Sequence, residues 1–190
     1  MRLLIAVPTF ENIKPETFKS IYDLDTSGFD CTFEYVKGYD CAAARNKIAK
    51  KAIEGGYDFV LMVDSDTVVP SNALQVMSKC NAGIVLAFQQ RRNGKRGEST
   101  IFKDEYRPYY KRDLDREYMP AMHGGMGCAL IAVDVFKHLE FPYFQYIWDS
   151  EVNLCSEDIY FCDKARAICI KVMAANVWCG HVLSGIDYGE

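Results

Sequence analysis

Five apolar residues, Phe59-Val60-Leu61-Met62-Val63, run without alternation and end on Asp64-Ser65-Asp66. A short apolar run with no polar face is the pattern of a central strand covered on both sides, as in a parallel sheet flanked by helices. The rest of the chain must then supply strands beside this one and helices over both of its faces. Residues 3–9 read as an apolar strand, 14–24 as a short helix beginning near Pro15, and 29–37 as a second strand closed by Gly38. Asp40 is placed to cap a helix over 41–53, whose Ala44, Ile48, Ala49 and Ala52 form one apolar stripe, and Gly55 and Gly56 stop it. Residues 70–80 read as a helix started by Pro70, and 82–88 as a fourth strand. Strand–helix alternation of this kind predicts right-handed crossovers and a mostly parallel, Rossmann-like α/β sheet.

The second half changes character. Residues 89–118 carry 9 of the 22 basic residues together with six acids and five aromatics, a net charge of +3 that suits a solvated hairpin or loop better than a nucleic-acid surface. A contact from Arg91, Arg92, Lys95 or Arg96 to a diphosphate stays open, because all four follow the fourth strand. Beyond lie a glycine cluster at 124–127, a strand over 128–133 and a short helix around 135–139. A helix over 157–167, capped by Ser156, and a final strand over 168–178 complete the pattern, with a frayed tail over 184–190. The 190 residues make a single domain, with a nucleotide-binding half at about 1–90 and a sugar and acceptor half at about 91–183.

Charge and cysteine content narrow the setting. A net charge of −4 gives no drive towards nucleic acid, and no apolar stretch approaches the ~18 residues of a membrane helix. The apolar start is too short for a signal-peptide core and is ended by Pro8, so a cytoplasmic protein is expected. Eight cysteines with no C-x-x-C pair read as reduced, small, buried side chains.

Ligands of open parallel sheets bind beyond the carboxyl ends of the strands. That rule brings Pro8, Thr9, Phe10 and Glu11, Asp64, Ser65 and Asp66, and Arg45 and Asn46 to one crevice. The D-x-D spacing occurs three times, but only at 64–66 does it follow a buried strand. Two carboxylates forced together there call for a compensating cation, and a hard dication with oxygen ligands, Mg2+ or Mn2+, is suited to them. Glu157 and Asp158 begin a helix, where the dipole favours acids in any case, or one of them is a general base. His181 follows the last strand and completes a metal site or is structural; His138 reads as a surface residue, and His123 is ambiguous. Gly125 and Gly127 either form a tight turn with positive φ or let backbone approach a ligand.

In order, these pieces resemble the GT-A fold glycosyltransferases, most closely family 2. The matching residues are the strand into Pro8-Thr9-Phe10, Ala44-Arg45-Asn46, the strand ending in Asp64-Ser65-Asp66, Gly125-Met126-Gly127 before its strand, Ser156-Glu157-Asp158, and His181. The resemblance implies a nucleotide-sugar donor, UDP-linked in preference to GDP-linked, and a hydroxyl-bearing acceptor. It implies that residues 8–11 and Arg45 hold base and ribose. Asp64 would touch ribose or metal, while Asp66 and His181 ligate Mn2+ or Mg2+. Gly125 and Gly127 would line the sugar pocket, and Asp158, with Glu157 beside it, would deprotonate the acceptor for inverting transfer. The family's usual acid after strand two is not obvious, and its processive acceptor motif is missing, which favours a single transfer. Two rivals remain. Asp64-Ser65-Asp66-Thr67-Val68-Val69 also resembles the nucleophile motif of haloacid-dehalogenase-like phosphatases, although two strands precede it here. A sugar-nucleotide or glycan-binding module without turnover is the other.

Overall fold

The structure, a computed structural model, describes residues 1–92, 94–148 and 154–182. The expected tail at 184–190 lies outside the described residues. The chain begins β1 (Arg2–Thr9), α1 (Pro15–Tyr22), β2 (Asp30–Lys37), α2 (Cys41–Glu54), β3 (Phe59–Val63), β4 (Thr67–Val68), α3 (Ala73–Met77) and β5 (Ile84–Gln89). It continues with β6 (Glu98–Phe102), β7 (Pro108–Tyr110), β8 (Tyr118–Pro120), β9 (His123–Gly124), β10 (Cys128–Ala132) and α4 (Val133–His138). After β11 (Ile147–Trp148) and β12 (Leu154–Cys155) come α5 (Glu157–Ala167) and β13 (Val172–His181).

The main sheet has the order β2-β1-β3-β10-β5-β13-β4, with β8 paired to β13. Strands β1, β2 and β3 pair in parallel, as do β5 and β13. Strand β10 lies between β3 and β5, antiparallel to both. This reversal departs from the uniform direction that the first ninety residues suggest, and it leaves the sheet mixed but mostly parallel. Residues 91–182 thus supply the strand at the sheet's centre.

The unbroken apolar run at 59–63 is explained by cover on both faces. Val60 and Met62 pack with Ala44, Ile48, Phe136 and Phe161 beneath α2, α4 and α5, whereas Leu61 and Val63 pack with Ile21, Leu74 and Met77 beneath α1 and α3. Asp40 caps α2 as expected, accepting from the backbone N–H of Ala43 at 2.9 Å. Gly56, at φ +63°, adopts the left-handed conformation that ends this helix without side-chain strain. Helix α3 is shorter than the expected 70–80, because the chain on either side of Ala73–Met77 folds into turns: Ala73 N–H donates to Pro70 at 2.9 Å and Cys80 N–H to Met77 at 3.1 Å.

Within the basic segment β6 and β7 form the hairpin its composition suggested, and β9 joins them from beyond it in a small sheet. The cysteine expectation needs correction. Cys31, Cys41 and Cys169 are exposed, lying on the edge strand β2, at the first position of α2 and in the turn after α5. Among the described residues no helix is long and apolar enough to cross a membrane.

Candidate functional site

The carboxyl end of β3, the start of α2, the start of α5 and the end of β13 converge on one edge of the sheet. Reversal of β10 adds its beginning to that edge: Asp64 N–H donates to the Gly127 carbonyl at 2.9 Å. The turn after β3 is tied down on both sides, with Lys14 N–H donating to Ser65 at 2.9 Å and Val182 N–H to Asp66 at 2.7 Å. Chain segments separated by over a hundred residues therefore fix the D-S-D turn.

At the centre sits Arg45, with only 3% of its side chain exposed. Its Nη2 donates to Asp64 Oδ1 at 2.7 Å and its Nη1 to Glu157 Oε1. Burial raises the Asp64 and Glu157 carboxyls above their ordinary range; the Arg45 charge opposes the rise, and Asp158 adds to it in both cases. A guanidinium is the cation suited to this position, since it stays protonated and its planar fork serves two acids at once. Tyr146 stands beside Glu157, and burial, with that neighbouring carboxylate, pushes its phenol upward.

A second cluster lies on the other side of Asp64. Asp66 Oδ2 is 3.2 Å from His181 Nε2, and Arg92 reaches both from the loop after β5. Arg92 Nη2 lies 3.0 Å from His181 Nε2, and its Nε 3.1 Å away. Burial tends to raise Asp66, but its hydrogen bond with His181 and the nearby charges of His181 and Arg92 prevail, so its carboxyl is held below the usual range. His181 Nδ1 is buried with no hydrogen-bond partner among the described residues.

The donor set suits a dication that is shared with a ligand. One carboxylate and one imidazole, 3.2 Å apart, match two adjacent ligands on an octahedral ion with bonds of roughly 2.1 Å. No group of three His, Cys, Asp or Glu residues able to hold a metal occurs among the described residues. Among the described residues, Asp66 and His181 are the side chains that would hold such an ion, with other ligands coming from water or a bound molecule, as is usual for Mg2+.

The expected residues separate into distinct roles. Asp64, Asp66, Glu157, Asp158, Arg45 and His181 come together. Arg45 does not face the crevice as a base or ribose contact, because burial spends its guanidinium on two acids. Asn46 is also committed: it donates to the Phe144 carbonyl at 2.7 Å and accepts from the N–H groups of Tyr143 and Phe144 at 2.9 and 3.1 Å. Glu157 is a buried partner of Arg45, which removes it as a base. Asp158 accepts from the Ser156 hydroxyl and from Ile159 N–H through the same oxygen, Oδ1. Its other oxygen has no partner among those bonds.

Pro8 and Thr9 are buried in β1, where the Thr9 hydroxyl closes the turn by donating to the Asn12 carbonyl at 3.0 Å, while Phe10 and Glu11 are exposed at the lip. Gly125 and Gly127 do not have positive φ; instead the protein packs against them. A side chain at Gly127 would collide with Gln89 Oε1, and one at Gly125 would press on Thr100 at 3.0 Å. Gln89 in turn donates to the Thr67 hydroxyl at 2.9 Å. His123 packs against Phe102, with Nδ1 3.7 Å from Asp163, and His138 stands 3.2 Å from Asp134 on α4, away from the crevice. Sequence reasoning gave no role to Tyr146 and Gln89, which lie in no recognisable motif, or to Thr67 beyond its place after the D-S-D turn.

No protein-family model matches the sequence, and no curated protein is similar to it by sequence. Solved structures share its fold. The A197 protein from STIV superposes with a TM-score of 0.69 at 14% identity, covering 97% of this chain and 87% of that one. S. aureus TarS 1-349, solved in complex with UDP, gives 0.55 at 15% identity over 94% of this chain and 60% of its own. UDP-glucose pyrophosphorylase complexed with UDP-glucose gives 0.53 at 10% identity over 94% and 92%. At these identities the likeness establishes the mixed α/β fold with its mostly parallel sheet, and family 2 membership is not established by it.

Proposed function

We propose that the protein is a metal-dependent glycosyltransferase that moves a sugar from a nucleoside-diphosphate sugar, UDP-linked in preference to GDP-linked, to a hydroxyl acceptor in a single inverting transfer. The observation that carries this reading is the division of acids around Arg45: Asp66 with His181 on one side, and half-buried Asp158, whose bonds among the described residues fall on Oδ1, on the other. Two fold neighbours, one solved with UDP and one with UDP-glucose, support a uridine nucleotide as ligand. Buried thiols at Cys128, Cys162 and Cys179 support a reducing, cytoplasmic setting.

Asp66 and His181 would hold Mn2+ or Mg2+, which when bound stabilises the negative charge developing on the departing diphosphate. Arg45 opposes the rise that burial imposes on the Asp64 and Glu157 carboxyls and fixes the start of α5 against the end of β3. Asp158, oriented by Ser156, takes the acceptor proton through Oδ2, a contribution of typically 10² to 10⁴ in rate. Gly125 and Gly127 would border the sugar, and Phe10 at the lip would cover the base. The phosphatase alternative needs Asp64 as an attacking nucleophile, and that carboxylate is bound by Arg45.

The test is incubation with Mn2+ and a panel of nucleotide sugars, followed by assay of the released nucleotide. UDP release supports the transferase, whereas pyrophosphate formed from UTP and a sugar phosphate would replace it with a nucleotidyltransferase. Binding without turnover would favour a module. Asp66→Ala is expected to abolish the Mn2+-dependent stabilisation by UDP in a thermal melt; a persisting shift would remove Asp66 from the site.

A further inference from the structure

The loop after β5 carries an arginine in the place a dication would take. Arg92 lies against Asp66 Oδ2 and His181 Nε2, the two atoms whose 3.2 Å spacing suits metal ligation. Its guanidinium and a dication cannot share that space, because both are positive and both need the same carboxylate oxygen.

The root of this side chain is held firmly. Arg91 N–H donates to the Glu98 carbonyl at 2.8 Å, and the Arg91 guanidinium pairs with the Glu98 carboxylate at 2.9 Å. Gln90 donates to the Lys95 carbonyl at 2.9 Å and accepts from Gly97 N–H at 2.8 Å, closing the loop across its neck. Arg92 itself keeps 61% of its side chain exposed, against 23% for Asp66 and 10% for His181. A long side chain on a clamped base can leave Asp66 by changing rotamer while the loop stays in place.

We propose that Arg92 is an exchangeable counter-ion: it neutralises Asp66 when no ligand is bound, gives way when the dication arrives with a nucleotide, and then pairs with the incoming diphosphate. This inference rests on the metal and nucleotide reading given above and adds an order to it. The exchange conserves charge at the site. Asp66 passes from a monovalent to a divalent partner, and the released guanidinium meets the phosphate oxygens, for which its paired donors are suited. A dication alone must displace Arg92 with nothing to receive it, so metal and nucleotide bind cooperatively.

The experiment measures Mn2+ affinity by electron paramagnetic resonance of the free ion, with and without UDP, in the native chain and in Arg92→Gln. Removal of a competing state held by one exposed pair is expected to tighten binding of Mn2+ alone about fivefold. At saturating Mn2+ the same variant is expected to bind UDP about tenfold more weakly, having lost a charge-assisted contact. Arg92→Lys should fall between the two on both measurements. Unchanged values in Arg92→Gln, or weaker binding of Mn2+ alone, would overturn the proposal. Asp66→Asn separates the two layers: loss of Mn2+ binding upholds the ion site, and unaltered Mn2+ binding sinks the site itself, whatever Arg92 does.

Discussion

Two arginines at one edge of the sheet each bridge two side chains, in opposite surroundings. Arg45 bridges Asp64 and Glu157 with 3% of its side chain exposed, and Arg92 bridges Asp66 and His181 with 61% exposed. Burial makes the first a fastener, because neither acid can be left without its counter-charge at that depth. Exposure leaves the second weak, since water and salt compete for the Arg92 guanidinium. Identical side chains therefore set the boundary between the fixed frame of the site and its adjustable part.

The largest expected effect tests the frame. Arg45→Met should cost about 3–5 kcal/mol in urea unfolding, while Arg92→Gln should stay within about 1 kcal/mol of the native protein. Equal losses would erase the distinction. The same variant has a pH signature. Burial already places the Glu157 carboxyl above its unfolded value, and loss of Arg45 leaves that rise unopposed. The folded state then binds more protons than the unfolded chain above about pH 4.3, so stability falls as pH rises through that window. Arg45→Met should be more stable at pH 5 than at pH 8; a flat profile would show that Glu157 escapes to solvent.

Asp158→Asn is next, with a loss of transfer of at least ~100-fold while UDP binding, read by thermal shift, is retained. Glu157→Gln should instead lower the unfolding midpoint. If the two acids exchanged these phenotypes, the assignment of base and brace would be reversed. The smallest effect extends the fixed frame: Gly127→Ala should cost about 1–3 kcal/mol, because Gln89 must leave Thr67 to make room. A variant as stable as the native chain would mean that this edge is as yielding as the Arg92 loop.

Much of the frame was legible because it rests on local pattern. The unbroken apolar run at 59–63 announced a covered strand, Asp40 announced the start of α2, and Ser156 with two acids announced α5. What stayed hidden depends on pairing at a distance. Nothing local in Cys128–Ala132 shows that it runs against its neighbours, since an apolar strand reads the same in either direction. Asn46 looked like a ligand contact because it lay at the right edge of the sheet, and its partners at 143–144 lie 97 and 98 residues away. The position after the fourth strand marked four basic residues as candidates, but only the folded loop distinguishes Arg92 from Arg91, whose charge is turned to Glu98.

The reversed strand also sets when the protein becomes whole during synthesis. Strands β3 and β5 share β10 as their common neighbour, and Val63 finds its partner only at Cys128. A nascent chain that has just passed residue 90 therefore holds two apolar strands whose mutual partner is still unmade, and such long-range pairings form slowly. The edge that holds Asp66 waits longer still, because β13, which carries His181, follows β10 and α5 in the chain.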